Sequence, residues 1–375
     1  MDPMPISLMR DCDWLRSRSG HLADDLWRNM AGSCHTSGMR KIWILWLYVA
    51  CAAQAAPPVE VIVGGTAFRN TAGEKIWLDF QRKAEAAANG GLKLRMLVHG
   101  ELGPEEQIVS GLRRGRVHYA NLSALVSSTV VPEAGLLYAP FLFDSDAEAD
   151  FVVDHYLTAE FRKLMAARGL ELIAWYDLGS SLLWSRRKPL LVPTDLRGVR
   201  LRIGANRATQ LLGQALQADV IPLPFSDIIP SLQRGLIEAG ENGMALYART
   251  GIAREAPFLS MTEHNLAVSF IVADKRWFDR QTPALQKILR ESFPDAVALR
   301  KSTRDESASD IANAAKLGFK VYRLTPAQRQ QWAAASRVTH PDLIAATGGA
   351  SARLYAGIAA SRKAFATART KPAAR

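Results

Sequence analysis

Cysteine is scarce in this chain of 375 residues, and it is confined to one end. The three cysteines are Cys12, Cys34 and Cys51. The chain after residue 51 therefore excludes a disulfide framework, thiolate chemistry and a cysteine-ligated metal site.

The sequence also lacks the motifs of common hydrolases and metalloenzymes. It contains neither a G-x-S-x-G nucleophile elbow nor an H-E-x-x-H zinc motif. The histidines after residue 56 are isolated rather than at metal-ligand spacing, so we expect surface or hydrogen-bonded side chains. These absences argue against an enzyme, and we expect neither a cofactor nor a metal.

A formal net charge of +11 accompanies 48% hydrophobic and 22% charged residues, a composition typical of a folded soluble protein. The positive balance favours anionic ligands, and equally anionic membrane surfaces or nucleic acid. The basic clusters at 113–116 and 186–188 lack interleaved aromatics, which indicates solvated faces. Nucleic acid is therefore not an expected partner.

Residues 39–55 have the pattern of a secretory signal peptide. A positive segment, Met39-Arg40-Lys41, precedes an apolar run and the cleavage pattern Ala53-Gln54-Ala55. The apolar run from Ile42 to Ala53 is shorter than the roughly 20 residues that cross a bilayer, which disfavours a membrane anchor. We expect cleavage near Ala55 and a periplasmic protein.

Residues 1–38 show neither helical periodicity nor strand alternation. We expect a non-native upstream extension or a disordered segment, with Met39 as the better start. A lipid-anchored Cys51 is the weaker alternative for this end of the chain.

Short β-rich runs alternate with helical patterns in the rest of the chain, which indicates an α/β class. The predicted strands are Val59 to Val63, Leu92 to Val98, Val117 to Ala120, Glu171 to Trp175, Val199 to Ile203 and Leu266 to Ala273. Ser145 begins a capping box for a helix that should end near Gly169. Thr282-Pro283 starts a second helix, which should kink at Pro294 and continue towards Gly318.

One unit occurs twice in the chain. Leu112 to Ala120 and Leu232 to Gly240 both read L-x-R-G-x-[VI]-x-x-[AG], the pattern of a helix end, a glycine and a short strand. Asn121 follows the first copy, and Asn242 closely follows the second. Because ligands bind outside the carboxyl ends of such strands, the two units predict two domains that face one cleft.

From about Val59 to about His340 the chain resembles the DctP-type solute-binding proteins of TRAP transporters. The resemblance rests on five motifs in order: Gly100-Glu101-Leu102-Gly103-Pro104-Glu105, Tyr138-Ala139-Pro140-Phe141-Leu142-Phe143, Asp195-Leu196-Arg197-Gly198-Val199-Arg200-Leu201-Arg202, Pro222-Leu223-Pro224-Phe225-Ser226-Asp227 and Glu241-Asn242. The family's patterns at these places are G-x-L-G-x-E, L-P-F-L-F, D-L-K-G-L-K-I-R, P-x-P-F-S-E and G-Q-E-N-P.

The resemblance implies an α/β, two-domain periplasmic-binding-protein (clam-shell) fold, with hinge strands and a long C-terminal helix backing both domains. Domain I is expected at 57–179, completed by about 266–300. Domain II is expected at 180–265, completed by about 318–345, and 346–375 should form a helical tail.

The same resemblance implies a function in transport. The protein would capture a small organic acid, through its carboxylate, and deliver it to the small and large TRAP membrane subunits. Two alternatives stay open: a periplasmic receptor that senses a ligand for a signalling partner, and a secreted α/β enzyme.

Three residues are the main candidates for ligand binding. Arg202 matches the family's arginine that pairs with a substrate carboxylate, which a guanidinium can grip with two parallel hydrogen bonds. Phe225 matches an aromatic wall, and Asn242 matches an asparagine whose amide can bind carboxylate or hydroxyl groups. Without the resemblance these would be a surface arginine, a core phenylalanine and a turn asparagine.

Glu105, Asn121 and Tyr247 are weaker candidates, and Glu105 could instead begin a helix. Ser181 lies where many family members have a second arginine, in G-x-R. The tetrad Gly240-Glu241-Asn242-Gly243 replaces Gln-Glu-Asn-Pro. A missing guanidinium makes a second ligand carboxylate costly to bury, so we expect one obligatory carboxylate with an apolar or aromatic remainder.

Overall fold

The computed structural model describes residues 57–204 and 206–370, so the predicted signal peptide and the segment before it lie outside the described residues. The strands are β1 Val59–Gly64, β2 Leu92–Leu97, β3 Tyr119–Ser123, β4 Leu170–Ser180, β5 Leu182–Ser185, β6 Arg200–Ile203, β7 Asp219–Pro222, β8 Ala239–Asn242, β9 Phe258–Met261, β10 Leu266–Asp274 and β11 Lys320–Arg323. The six predicted strands are confirmed, with shifts of a few residues at their ends.

Helices cover and connect these strands. They are α1 Ala72–Ala87, α2 Glu105–Arg113, α3 Ala124–Ser127, α4 Asp146–Val152, α5 Thr158–Ala166, α6 Arg207–Ala215, α7 Ile228–Gln233, α8 Met244–Arg249, α9 Ile252–Glu255, α10 Lys275–Asp279, α11 Pro283–Glu291, α12 Ala296–Ala312, α13 Ala314–Leu317, α14 Pro326–Arg337, α15 His340–Thr347 and α16 Ser351–Thr370. Short 3-10 turns cover Pro132–Tyr138, Pro193–Leu196 and Phe225–Asp227, and a π-turn covers Val153–Leu157. None of the helices in the described part of the chain is long and apolar enough to cross a membrane.

The strands form two sheets, which we call the first and second lobes together with their covering helices. The first-lobe sheet has the order β2-β1-β3-β10-β4, and the second-lobe sheet has the order β11-β9-β5-β8-β6-β7. In the first, β1 is parallel to β2 and β3, while β10 is antiparallel to β3 and β4. In the second, β6 is parallel to β7 and β8, and β5 is antiparallel to β8 and β9.

Two pairs of consecutive strands connect the lobes and form the hinge. β4 in the first sheet is followed after one residue by β5 in the second, and β9 in the second leads to β10 in the first. That one residue is Ser181, whose N–H donates to the Asn265 carbonyl at 3.1 Å and whose carbonyl accepts from the His264 N–H at 3.2 Å. The β4–β5 and β9–β10 connections are therefore hydrogen-bonded to each other where the chain passes between the two sheets.

The repeated sequence unit forms the same local structure in both lobes. Gly115 and Gly235 have φ of 68° and 72°, the left-handed conformation that ends a helix. Each glycine donates its N–H to the leucine three residues earlier, Leu112 or Leu232, at 3.0 Å. The first copy then enters β3 and the second enters β8, so the prediction of one such unit in each sheet is confirmed.

Helix α12 contacts both lobes, as expected for the long backing helix. Near its middle, Arg304 lies 2.8 Å from an Asp150 carboxylate oxygen and 3.2 Å from one of Asp177 at the end of β4. Near its C-terminal end, Asp310 accepts from the Arg249 guanidinium of α8 at 3.0 Å. The predicted kink at Pro294 is wrong, because the proline separates two helices, α11 and α12. Asp295 caps the second of them by accepting a hydrogen bond from the Ala298 N–H at 2.8 Å.

An aromatic cluster anchors α1 to the first-lobe sheet. The Phe80 side chain is fully buried, with ring centroids 5.1 Å from Tyr119, 5.2 Å from Phe293 and 5.9 Å from Trp77. Aromatic rings at these separations add to the stabilisation that burial already supplies. This cluster connects α1, β3 and the segment before α12.

We predict that Phe80→Ala destabilises the protein by about 3–5 kcal/mol, because it removes the central ring and leaves a cavity. Urea unfolding followed by circular dichroism measures the change. Leu78→Ala is the matched control, since this leucine lies on the same helix and is 54% exposed; it should change stability by less than about 0.5 kcal/mol. Equal effects of the two substitutions would contradict the account of the cluster.

Candidate functional site

Strand register brings two of the predicted ligand residues to one face of the second-lobe sheet. Arg202 on β6 is paired with Gly240 on the adjacent parallel strand β8. Because side chains two residues apart project to the same side of a strand, Asn242 shares the face of Gly240 and therefore that of Arg202. Glu241, between them, projects to the other side.

Arg202 is a buried cation, with only 6% of its surface exposed. Its Nε and Nη2 atoms donate to the Leu223 carbonyl at 3.0 and 2.7 Å, which holds one edge of the guanidinium in place. Among the described residues, no carboxylate lies within ion-pair distance of it. Burial lowers the pKa of Arg202, and the charge of Glu241 only partly opposes this shift. The edge between Nη1 and Nη2 remains available to a carboxylate.

The aromatic wall expected at Phe225 lies in the turn after β7, where the ring is half-buried. Its centroid is 6.2 Å from that of Phe68, in the segment that follows β1 in the first lobe. The two rings therefore meet across the lobes. Phe68 is 40% exposed, so the pair offers apolar surface to a ligand as well as contact between the lobes.

Asn242 is half-buried at the end of β8. Its Oδ1 accepts a hydrogen bond from the indole N–H of Trp184 at 3.0 Å. The amide nitrogen has no hydrogen-bond partner within the described ranges, so it can donate to a ligand.

Glu105 begins α2 in the first lobe, and Ser123 holds its carboxylate. The Ser123 N–H lies 3.3 Å from both carboxylate oxygens, and the Ser123 hydroxyl donates to Oε2 at 2.5 Å. These bonds favour the charged form, but burial outweighs them and raises the pKa of Glu105. Glu105 therefore begins a helix, which was the alternative interpretation of this residue. Its carboxylate is also held in place to accept hydrogen bonds.

Tyr138 lies within reach of the charges of Glu105 and Glu241, and the sequence analysis did not select it. Burial raises the pKa of its hydroxyl, and the charges of Glu105 and Glu241 add to the effect. Tyr138 therefore lies near one carboxylate of each lobe. Its place at the start of the motif Tyr138 to Phe143 was the available signal.

Asn121 lies on β3, 8% exposed, two residues before Ser123 and on the same face of the strand. Its Oδ1 is buried and has no hydrogen-bond partner among the described residues. A buried acceptor without a partner is costly, so this oxygen is suited to a hydroxyl group or a water molecule.

The hinge contains a buried polar group centred on Glu241. Its carboxylate lies 2.7 Å from His264 Nε2, and His264 Nδ1 lies 2.8 Å from the Thr262 hydroxyl. These contacts connect β8 to the segment between β9 and β10. Ser181, the residue at the expected position of a second arginine, is 4% exposed in the same hinge and adds no cation to it.

Tyr247, another of the weaker candidates, lies in the core of the second lobe. The side chain is fully buried in the second-lobe core, packed edge-to-face on Phe319 at 5.1 Å between ring centroids. Its hydroxyl donates to the Ala256 carbonyl at 2.9 Å. Helix α8 turns this face of the chain into the core, so Tyr247 supports the lobe rather than offering a ligand contact.

A cavity of about 360 Å³ lies beside the hinge. It is bordered by the loop at 141–147, the hinge segment at 263–266 and Arg329. None of the main candidates, Arg202, Phe225 and Asn242, borders it. Within 57–204 and 206–370 no group of acidic, histidine and cysteine residues has the arrangement of a metal site.

The raised pKa of Glu105 predicts a pH-dependent stability difference. Its ordinary value is 4.5, so its stabilising contribution is fully present below pH 4.5 and is lost as the pH rises through the folded-state pKa. Glu105→Gln removes the ionised form, and its stability relative to wild type should fall as the pH is lowered from 8 towards about 4.5.

Thermal unfolding of both proteins without ligand, across this pH range, measures the difference. Val109→Ala on the same helix is the control, because it introduces no change in a titrating group. A difference between Glu105→Gln and wild type that stays constant with pH would contradict the assigned burial of the carboxylate.

Known proteins resemble this chain over most of its length. One relative is the 2,3-diketo-L-gulonate-binding periplasmic protein YiaO of Escherichia coli, 24% identical over 237 residues, which are 63% of this chain and 72% of the relative. Another is the ectoine/5-hydroxyectoine-binding periplasmic protein UehA of Ruegeria pomeroyi, 23% identical over 279 residues, which are 72% of this chain and 82% of the relative.

Solved structures match the fold. The sugar acid binding protein DctPAm from Advenella mimigardefordensis, in complex with galactonate, superimposes with a TM-score of 0.76 at 22% identity, covering 82% of this chain and 99% of the other. The two-lobed fold expected from the resemblance is confirmed.

The family described as bacterial extracellular solute-binding protein, family 7 (DctP), matches residues 64–346. The chain therefore belongs to family 7 of the bacterial extracellular solute-binding proteins, the DctP family.

Proposed function

We propose that this protein captures an organic acid in the periplasm and delivers it to the small and large membrane subunits of a TRAP transporter. The observation that carries the proposal is Arg202, a buried guanidinium held by a backbone carbonyl and without a carboxylate partner among the described residues. A buried cation of this kind is costly until an anion joins it. A ligand carboxylate would provide that anion.

Solved relatives support this chemistry. Matching solved structures hold bound galactonate, β-D-galacturonate and succinate, and each of these molecules is a carboxylate. The positive φ of Gly235 and the register of β6 and β8 put the donors Arg202 and Asn242 at one end of the second-lobe sheet. That end is where α/β sheets bind their ligands.

The charges of the site favour a ligand with one carboxylate. The charges of Glu105 and Glu241 both act on Tyr138, the charge of Glu241 also acts on Arg202, and Ser181 supplies no second cation. A second ligand carboxylate would meet like charges in a partly buried site. Hydroxyl groups could instead donate to Glu105, while Phe68 and Phe225 pack on the carbon skeleton.

Arg202→Ala should weaken organic-acid binding by about 2 kcal/mol or more, roughly thirtyfold in Kd, because it removes a charge-assisted contact. Isothermal titration calorimetry with galactonate, D-glucuronate and D-erythronate measures it. The matched control is Arg200→Ala, on the same strand, whose guanidinium is paired with Glu238 at 3.2 Å. Unchanged affinity in Arg202→Ala would reject the assignment.

Succinate and malate should bind at least about tenfold more weakly than the best monocarboxylate in the same titrations. The reason is the absence of a second guanidinium at Ser181. Ser181→Arg should narrow the gap by adding a cation. Tight binding of succinate by the wild type would mean that another cation takes the place of the missing arginine.

A further inference from the structure

A fully buried tryptophan of the second lobe lies beside the proposed ligand site. Trp184 on β5 has no exposed surface and is paired across the sheet with Gly240 on β8. A Cβ atom at position 240 would lie only 2.3 Å from Cζ2 of the indole and 2.5 Å from Cη2. Trp184 can therefore occupy this place only because residue 240 has no side chain. This gives a physical reason for glycine at the first position of the tetrad Gly240 to Gly243.

The indole of Trp184 determines which way the Asn242 amide points. Its Nε1–H donates to Asn242 Oδ1 at 3.0 Å. An indole nitrogen can only donate, so only the oxygen end of the amide can face it. The orientation of Asn242 is thus fixed by chemistry, and the NH₂ group is directed away from the indole. Without this anchor an asparagine can present either end to a ligand.

The fixed amide and the fixed guanidinium lie on one face of the same sheet. Leu223 holds one edge of Arg202, and Trp184 holds one end of Asn242. Both side chains then offer donors and no acceptor. A carboxylate, or an oxygen acceptor next to it, fits this face. A ligand group that is itself a donor, such as the ammonium of an α-amino acid, would find no acceptor there.

We infer that Trp184 is a specificity-determining positioning residue, which acts through Asn242 and makes this face of the second-lobe sheet select the oxygen acceptors of a carboxylate ligand. The inference rests on the proposed function. It adds a residue outside the ligand contacts to the recognition of the ligand. Gly240 is part of the same device, because it provides the space for the indole.

A double-mutant cycle tests the inference, with D-galactonate as the probe and calorimetry as the readout. Trp184→Phe and Asn242→Ala should each weaken galactonate binding about fivefold to tenfold, the effect of one lost hydrogen bond. The double variant should be no more than about twofold weaker than Asn242→Ala alone, because the tryptophan acts through the asparagine. If the double variant loses affinity by the product of the two single-variant fold-changes, the inference is overturned.

Trp332→Phe controls for the loss of a buried indole. Trp332 is also buried, and its N–H donates to a backbone carbonyl, that of Leu191, at 2.9 Å. This control should lower thermal stability to a similar degree and leave galactonate affinity within about twofold. An equal loss of affinity in Trp184→Phe and Trp332→Phe would mean that Trp184 has a packing role alone.

Two further measurements separate the inference from the proposed function. In the ligand-free protein, the Trp184 indole resonance in a ¹H–¹⁵N spectrum should move in Asn242→Ala, and an unmoved resonance would overturn the anchor. Asn242→Asp keeps the acceptor for the indole but replaces the donor, so it should weaken galactonate more than Asn242→Ala does. If the wild type binds none of the acids, the proposed function fails, whereas the indole resonance still decides whether Trp184 orients Asn242.

Discussion

The buried charge of Arg202 is the constraint on which the rest of the site depends. A guanidinium in a partly desolvated position needs hydrogen bonds on every edge that water no longer reaches. The Leu223 carbonyl satisfies one edge from the turn after β7. The other edge lies on the same side of the sheet as Asn242, and we propose that it binds the anion. Strand register, the turn after β7 and the absence of a side chain at Gly240 all serve this arrangement.

The hinge connects β8, the strand that carries Asn242, to the first lobe. Glu241 projects from β8 to the side opposite Asn242 and joins His264, so a single short strand serves both the site and the hinge. Phe68 and Phe225 contact each other across the lobes, and Phe225 is itself one of the candidate ligand residues. Arg249 adds another such contact, since it donates to the Asn70 carbonyl at 3.1 Å. The proposed binding residues and the contacts between the lobes therefore lie on the same elements, which is what a protein that traps a solute between lobes requires.

Much of this architecture could be predicted from the sequence, because local rules decide it. The glycines of the L-x-R-G units end helices wherever they occur, and the alternation along β6 separates Arg202 from its neighbours. The features that could not be predicted depend on packing between residues that are far apart in the sequence. Tyr247 follows Asn242 closely in sequence, yet α8 turns it into the core, and the anchoring of Asn242 depends on Trp184, which is 58 positions away. The break at Pro294 depended on a new cap at Asp295, which a kinked helix would not need.

The most direct test of the account is to identify the molecule that the protein retains. Native mass spectrometry of the purified protein, followed by denaturation and small-molecule analysis of what is released, should give an organic acid of low mass with one carboxylate. Calorimetry with that compound should then give saturable binding at one site. Release of an uncharged or cationic ligand that rebinds at the same site would contradict the central claim that the buried charge of Arg202 selects the ligand.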